Sequence, residues 1–197
     1  LSRLSDAQTR SISPENFTGE KGKAGMATEG TGKAAARDLG QGWKVSPSVR
    51  IAAKTTFTMA EIDGPGCIWR IWSAAPKDGH VRIYLDGASE PVVDLPFVGY
   101  FDGKNAPFTR PALVHTVARG WNNYTPIPYA KSCKIVADKG WGDYFQFVYT
   151  SFAPGTEVPT FKRELSAADS SALDNADKQL ANSGPREISK GFTKAVN

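Results

Sequence analysis

Between residues 49 and 152, apolar and polar positions alternate with period two, which is typical of half-buried β-strands. Turns rich in glycine separate these stretches, such as Gly-Pro-Gly at residues 64–66 and Asp-Gly at residues 86–87. The pattern predicts strands at residues 51–59, 67–73, 80–85, 92–98, 113–118, 133–137 and 143–152. Seven or eight short strands joined by such turns predict an all-β fold, a jelly-roll β-sandwich.

The flanking regions have a different character. Residues 1–48 are rich in Gly, Ser, Thr and Lys and predict an irregular segment with a short helix at residues 34–38, stopped by Gly40. The last region, residues 164–197, opens with a helix capped by Ser166. The predicted domains are an N-terminal segment (1–48), the jelly-roll sandwich (49–163), and a linker helix with a polar tail (164–197).

The C-terminal helix carries three signals. Asp169 lies in the first turn, where a carboxylate meets the positive end of the helix, and Gly184-Pro185 marks the end. A thin apolar stripe recurs at helical spacing, at Leu165, Ala168, Ala172, Leu173, Ala176 and Leu180. We therefore predict a helix over residues 165–184 that packs through one narrow face.

Charge argues against a nucleic-acid partner. The net charge is +4, and residues 1–54 hold nine Lys/Arg against five Asp/Glu, so the excess lies in the N-terminal quarter. It is interrupted by Glu15, Glu20 and Glu29, unlike a clustered basic face. No apolar run approaches the roughly 18 residues of a membrane helix, so no membrane partner is expected. Residues 1–10 lack the apolar stretch of a signal peptide.

Two cysteines, Cys67 and Cys133, are too few for a disulfide framework or a four-cysteine zinc site. One bridge between them stays open, although two buried free thiols are the favoured interpretation. The histidines, His80 and His115, fall on separate predicted strands without metal-ligand spacing, so no metal is expected.

A polar loop at residues 10–26 is the first candidate site. It lacks the spacing of a phosphate-binding loop, but its carboxylates, amide and ammonium groups suit sugar hydroxyls, which donate and accept together. The candidate substrate-binding residues in it are Glu15, Asn16, Glu20, Lys21 and Lys23. The alternative is a solvated surface loop.

The second candidate is the predicted strand that carries Trp69-Arg70-Ile71-Trp72. Strand alternation places Arg70 and Trp72 on one face and Trp69 with Ile71 on the other. We expect Trp69 in the core, and Arg70 beside Trp72 as candidate substrate-binding residues, with an indole face as a sugar platform. For Trp72, packing at an interface is the alternative.

A third segment, residues 121–131, contains two prolines and predicts a rigid, non-helical connection with amide and aromatic groups that would suit a sugar. Paired carboxylates for glycoside hydrolysis are formally available as Glu15 with Glu20, or Glu61 with Asp63. Their separation does not follow from sequence.

Residues 10–26, 62–72 and 122–131 together resemble glycoside hydrolase family 172. The resemblance implies a retaining α-furanosidase acting on α-D-fructofuranosides or D-arabinofuranosides without a metal or organic cofactor. It also implies two jelly rolls in one chain, a trimer-based homo-oligomer, and a secreted or periplasmic location.

This chain departs from the family pattern in one respect. The family's two catalytic glutamates lie in the second jelly roll, in Gly-Glu-Gly and Gly-Thr-Gly-[Ser/Thr]-Glu-Asp types of segment, and neither occurs here. The resemblance therefore implies the first jelly roll alone, with no catalytic residue, partnered by carbohydrate and by a second jelly-roll segment or chain. The alternative is a non-catalytic assembly or carbohydrate-binding protein.

Overall fold

The protein folds as a two-layer antiparallel β-sandwich in a computed structural model that describes residues 6–36, 39, 42, 44–52 and 55–183. The strands within these residues are β1 Gln8–Ile12, β2 Thr56–Asp63, β3 Gly66–Ser73, β4 His80–Leu85, β5 Val93–Pro96, β6 Val114–Val117, β7 Gly120–Asn123, β8 Ile127–Tyr129, β9 Ser132–Asp138 and β10 Gln146–Ser151. The helices are α1 Lys33–Ala36 and α2 Ala167–Ala181, with a 3-10 turn at Phe97–Tyr100. The predicted all-β sandwich with a C-terminal helix is confirmed.

The larger sheet has the order β1-β10-β3-β7-β6, and the second sheet has the order β2-β9-β4-β5. Strand β8 also joins the larger sheet by pairing with the first half of β3, whereas β7 pairs with its second half. Strand β3 therefore has neighbours along both edges, and its outward side chains are flanked by those of β10 and β7.

The inner faces of the two sheets form one hydrophobic core. Its members on the larger sheet include Ile12, Ile68, Ile71 and Phe147, and those on the second sheet include Met59, Val81, Ile83, Ile135 and Ala137. Beside them, aromatic rings pack edge to face, with centroids 5.7 Å apart for Phe97 and Trp141 and 5.6 Å apart for Trp141 and Phe145. Burial of this apolar surface is the main force that holds the layers together.

Strand β2 differs from the prediction of residues 51–59. It begins at Thr56 and continues to Asp63, while residues 53–54 lie outside the described part. Its pairing with β9 shifts register between Thr58 and Ala60, so that Met59 and Ala60 are both buried. A bulge of this kind breaks period two, which is why the alternation pointed to a segment lying too early in the chain.

Three strands of the larger sheet were not predicted: β1, β7 and β8. Strand β1 lies in the polar N-terminal region, and β7 and β8 lie in the segment expected to be a connection. Pro128 sits in β8, which is a short strand of three residues, so proline there does not exclude pairing. The predicted strand at residues 92–98 is also shorter, because the chain turns into the 3-10 segment after Pro96.

Helix α2 begins where its cap predicts, since the backbone N–H of Asp169 donates to Ser166 Oγ at 3.1 Å. Two predictions about helix ends lie outside the described residues: the end of this helix at Gly184-Pro185 and the stop of the short N-terminal helix at Gly40. The polar tail also lies outside them. The apolar stripe is only partly used: Leu165 and Leu173 pack against the core, whereas Leu180 is half exposed. Among the described residues, neither helix has the length and apolar character to cross a membrane.

Candidate functional site

A cleft of about 590 Å³, which we call the β3 cleft, opens beside the outward side chains of β3. Its walls come from the turn after β1, the segment around Lys44, the second half of β3 and the start of β10. The lining residues are Ser13, Pro14, Glu15, Lys44, Pro47, Arg70, Trp72, Ala74, Tyr144, Phe145 and Gln146. Four separate parts of the sequence therefore meet at this place.

Glu15 reaches the cleft from a tight turn. The backbones of Ser13 and Asn16 pair through two hydrogen bonds of 3.1 and 2.9 Å, and Pro14 suits the second position of such a turn because its ring fixes φ. The backbone N–H of Ser46 donates to Glu15 Oε1 at 3.1 Å. Glu15 Oε2 is buried without a hydrogen-bond partner among the described residues, which is unusual for a carboxylate oxygen.

Arg70 is held by two neutral side chains. Its Nε and Nη2 donate to Asn122 Oδ1 at 3.1 and 2.9 Å, and its Nη1 donates to Gln146 Oε1 at 2.9 Å. The guanidinium also lies 5.8 Å from the centre of the Tyr124 ring, within cation–π range. No carboxylate of the described residues forms an ion pair with it, so its charge is not neutralised locally.

Trp72 faces the same side as Arg70 and is partly buried. Gly120 of β7 lies against its indole, where an added Cβ would come 2.8 Å from Trp72 Nε1. This close approach fixes the ring at the cleft wall. Its exposed part offers apolar aromatic surface beside a cation and a carboxylate.

Trp69 is not a core residue, and the expectation that placed it there is wrong. The side chain is 42% exposed, and its Nε1 donates to Thr150 Oγ1 at 2.9 Å. The pairing of β3 with β10 shifts register here, because Val148 opposes Arg70 whereas Tyr149 opposes Ile68. Trp69 is the extra residue of this bulge, so it turns outward together with Arg70.

The structure brings three of the seven candidate residues into the β3 cleft: Glu15, Arg70 and Trp72. Asn16 instead stabilises its own loop, since its Nδ2 donates to the carbonyl of Glu20 at 3.0 Å. The side chains of Glu20, Lys21 and Lys23 are exposed and do not line this cleft. A sugar-binding role for these four residues stays a prediction.

Sequence reasoning missed several residues of the cleft. Gln146 begins β10 and Tyr144 lies just before it, whereas Lys44 lies in the polar N-terminal region. Asn122, which braces Arg70 without lining the cleft, belonged to a segment considered for sugar recognition without an assigned role. The available signal was Gln146 itself, a polar residue between Phe145 and Phe147, which marks the outward face of the strand. The partner of that side chain depends on which strands are neighbours, which alternation does not reveal.

The other titratable candidates lie elsewhere. Cys67 and Cys133 are free and buried, as the favoured interpretation predicted, and burial raises the pKa of the Cys67 thiol to about 12. A thiol in that state is a poor nucleophile. His80 Nδ1 lies 2.5 Å from Asp94 Oδ1, and His115 stacks on Tyr124 with centroids 5.8 Å apart; neither lines the cleft.

Among the described residues, carboxylate pairs and metal ligands do not assemble in the β3 cleft. Glu61 and Asp63 line a different cleft of about 510 Å³ on the second sheet, where Lys134 Nζ lies 3.3 Å from Glu61 Oε1. Among the described residues that line the β3 cleft, Glu15 is the one carboxylate. Within the described part of the chain, no group of three or more His, Cys, Asp and Glu side chains is arranged to hold a metal ion.

Comparison with known proteins gives the family. No curated protein matches the chain. The family model described as the GH172 first beta-sandwich domain, where GH172 is glycoside hydrolase family 172, matches residues 22–169. This match covers most of the sandwich, including Arg70, Trp72, Asn122 and Gln146. The chain therefore belongs to glycoside hydrolase family 172 and contains its first β-sandwich domain.

Proposed function

We propose that this chain is the sugar-binding first sandwich of a retaining α-furanosidase, which acts on α-D-fructofuranosides or D-arabinofuranosides. The observation that carries the proposal is the β3 cleft, where a carboxylate, a guanidinium and an indole meet. Family membership supports the glycoside hydrolase class. The furanoside substrate rests on the resemblance of residues 10–26, 62–72 and 122–131.

The groups in the cleft match the chemistry of a neutral sugar. A sugar hydroxyl both donates and accepts, so it can donate to the Glu15 carboxylate and accept from the Arg70 guanidinium. The C–H surface of a sugar ring packs on an aromatic face, for which Trp72 is available. These interactions bind and orient a ring without acting on its glycosidic bond.

The glutamates that cleave the bond are proposed to come from a second sandwich, in the same polypeptide or in a partner. A retaining glycosidase needs two carboxyl groups about 5–5.5 Å apart. Of the described residues that line the β3 cleft, Glu15 alone could belong to such a pair. We therefore assign this domain to binding and the second domain to catalysis.

The proposal is tested by titrating the 197-residue chain with methyl α-D-fructofuranoside and methyl α-D-arabinofuranoside, followed by NMR. An assay with p-nitrophenyl α-D-arabinofuranoside measures hydrolysis in parallel. We expect binding of at least one glycoside without hydrolysis. Hydrolysis by this chain alone would show that the division between the two sandwiches is wrong.

An assembly role is the second candidate, favoured by large side chains exposed on the larger sheet and just after its strand β7. Trp69, Val117 and Tyr124 are 42, 62 and 38% exposed. If neither glycoside binds and sedimentation shows a trimer-based oligomer, the assembly role replaces the sugar-binding one. A monodisperse 21.2 kDa monomer that binds sugar would contradict the assembly role.

A further inference from the structure

The bonding of Arg70 leaves part of its donor capacity open. A guanidinium carries five N–H donors on three nitrogens. In Arg70, Nε, Nη1 and Nη2 each donate one bond to Asn122 or Gln146. One N–H on each terminal nitrogen has no acceptor in this set. Arg70 also lines the β3 cleft, so donors without an acceptor among the described residues are candidates to bond a ligand there.

The two amide side chains brace Arg70 from both neighbouring strands. Gln146 and Asn122 are the register partners of Trp72 on β10 and β7, and both reach the guanidinium of Arg70, two residues earlier on the same face. Asn122 is itself fixed, since it is 5% exposed and its Nδ2 donates to the carbonyl of Gly120 at 2.9 Å. Its oxygen is thereby aimed at Arg70.

The neutrality of both acceptors matters. A carboxylate at either position would hold Arg70 at least as well, because a charge-assisted bond is stronger than one to a neutral amide. It would also cancel the positive charge. With amides, the guanidinium is oriented while neither neighbouring strand offsets its charge with a carboxylate, and Glu15 lines the same cleft.

We infer that Asn122 and Gln146 are positioning residues, which orient Arg70 without an ion pair so that it donates to the hydroxyls of a neutral furanose. Other hydroxyls of the same ring donate to the Glu15 carboxylate, which lines the same cleft. The inference rests on the proposed sugar-binding function and deepens it. It means that the opposite charges of Arg70 and Glu15 select ligands with hydroxyl groups. It also means that the Asn122 and Gln146 amides keep the positive charge of Arg70 from being offset.

The test is Gln146→Glu, which keeps the shape and adds a carboxylate beside Arg70. We expect the melting temperature to stay the same or rise. We expect the dissociation constant for the glycoside that binds wild type to rise about tenfold or more, because a charge-assisted bond to ligand is weakened. The Arg70 Nε–H resonance should shift on titration in wild type and respond weakly in the variant.

Gln8→Glu is the matched control. Arg10 Nη2 donates to Gln8 Oε1 at 2.8 Å on exposed β1, so this variant makes the same charge change beside another arginine outside the cleft. We expect it to bind as wild type does. Equal loss in both variants would mean that net charge alone acts, and would overturn the inference.

Further variants keep the two proposals separable. Glu15→Gln should lose affinity to a similar degree, while Glu157→Gln, at an exposed position, should not. If Gln146→Glu fails to fold, Asn122→Asp provides the same test from the other strand. If wild type binds the glycoside and Gln146→Glu or Asn122→Asp binds it with unchanged affinity, this inference is wrong and the proposed function stands. If wild type does not bind, the proposed function itself is wrong.

Discussion

Trp69 and Ile71 lie two residues apart on one strand and contribute to stability in different ways. Ile71 is 1% exposed and belongs to the core, whereas Trp69 is 42% exposed and makes one side-chain hydrogen bond, to Thr150. Residue type alone suggests the opposite ranking, since tryptophan is the larger apolar group. The bulge, rather than hydrophobicity, decides which of the two supports the fold.

We predict that Ile71→Ala lowers the free energy of unfolding by about 2–5 kcal/mol, since it leaves a cavity in the core. Trp69→Ala should cost about 1 kcal/mol, the contribution of an exposed contact and one hydrogen bond. Urea unfolding of both variants measures the difference, with Lys21→Ala as an exposed control expected to change little. Equal losses at Trp69 and Ile71 would contradict the placement of Trp69.

At the cleft, the sequence indicated which residue types lie there better than it indicated which side chains they bond to. Glu15, Arg70 and Trp72 were identifiable because their groups suit a sugar and lie in distinctive local sequence. The bracing of Arg70 by Asn122 and Gln146 joins strands 24 residues apart along the chain, from 122 to 146. Such a contact follows from strand order and register, which single-residue chemistry does not contain.

Among the elements, helix α2 is attached to the sandwich largely by polar contacts. None of its residues is fully buried. Arg110, before β6, donates from Nε to Asp174 Oδ1 at 2.8 Å and from Nη2 to Ser170 Oγ at 2.9 Å. The backbone N–H of Ala112 donates to Asp177 Oδ1 at 2.7 Å. One short segment therefore holds three successive turns of the helix.

We predict that Arg110→Ala releases α2 while leaving the sheets intact. Hydrogen exchange of the α2 amides should accelerate about tenfold or more, because a part-buried arginine with several bonds is lost. Exchange in β3 and β10 should not change. Arg119→Ala, an exposed position in the same region, is the control; faster exchange in the sheets as well would show that α2 is part of the cooperative core.

Elements with regular, two-sided alternation were predictable, and irregular ones were not. Strands β4 and β9 match their predicted ranges closely because each keeps period two from end to end. Strands β1, β7 and β8 are three to five residues long, so they carry too few positions to show a period. They are strands because a longer neighbour supplies their hydrogen bonds, which is a tertiary effect.

For the molecule as a whole, the buried thiols set a limit on alkaline stability. Burial raises the pKa of Cys67 from 9.0 to about 12, and the pKa of Cys133 is also raised by burial. Above about pH 9, the unfolded chain releases these protons and the folded protein keeps them. The unfolded state then binds fewer protons, so the free energy of unfolding falls as pH rises; below pH 9 the thiols contribute no slope.

We predict a decline of up to about 1.4 kcal/mol per pH unit for each thiol between pH 9 and 11. Urea unfolding across this range measures it. Cys67→Ala is expected to be less stable at every pH. Its free energy of unfolding should fall less steeply with pH, because one of the two thiols no longer contributes. Parallel slopes for wild type and Cys67→Ala would contradict the assignment of the decline to Cys67.

The bulge in β3 also has a consequence for comparing members of the family. Trp69 is supernumerary in the ladder, so a chain lacking it would pair Ile68, Arg70, Ile71 and Trp72 with alternating inward and outward orientation and still present the same cleft. We therefore expect the distance from the Gly-Pro-Gly turn at residues 64–66 to the cleft arginine to vary by one residue among members of the family. The Arg-x-Trp spacing has no such freedom, because Arg70 and Trp72 must face the same side of β3, so we expect it to be kept where the cleft is kept.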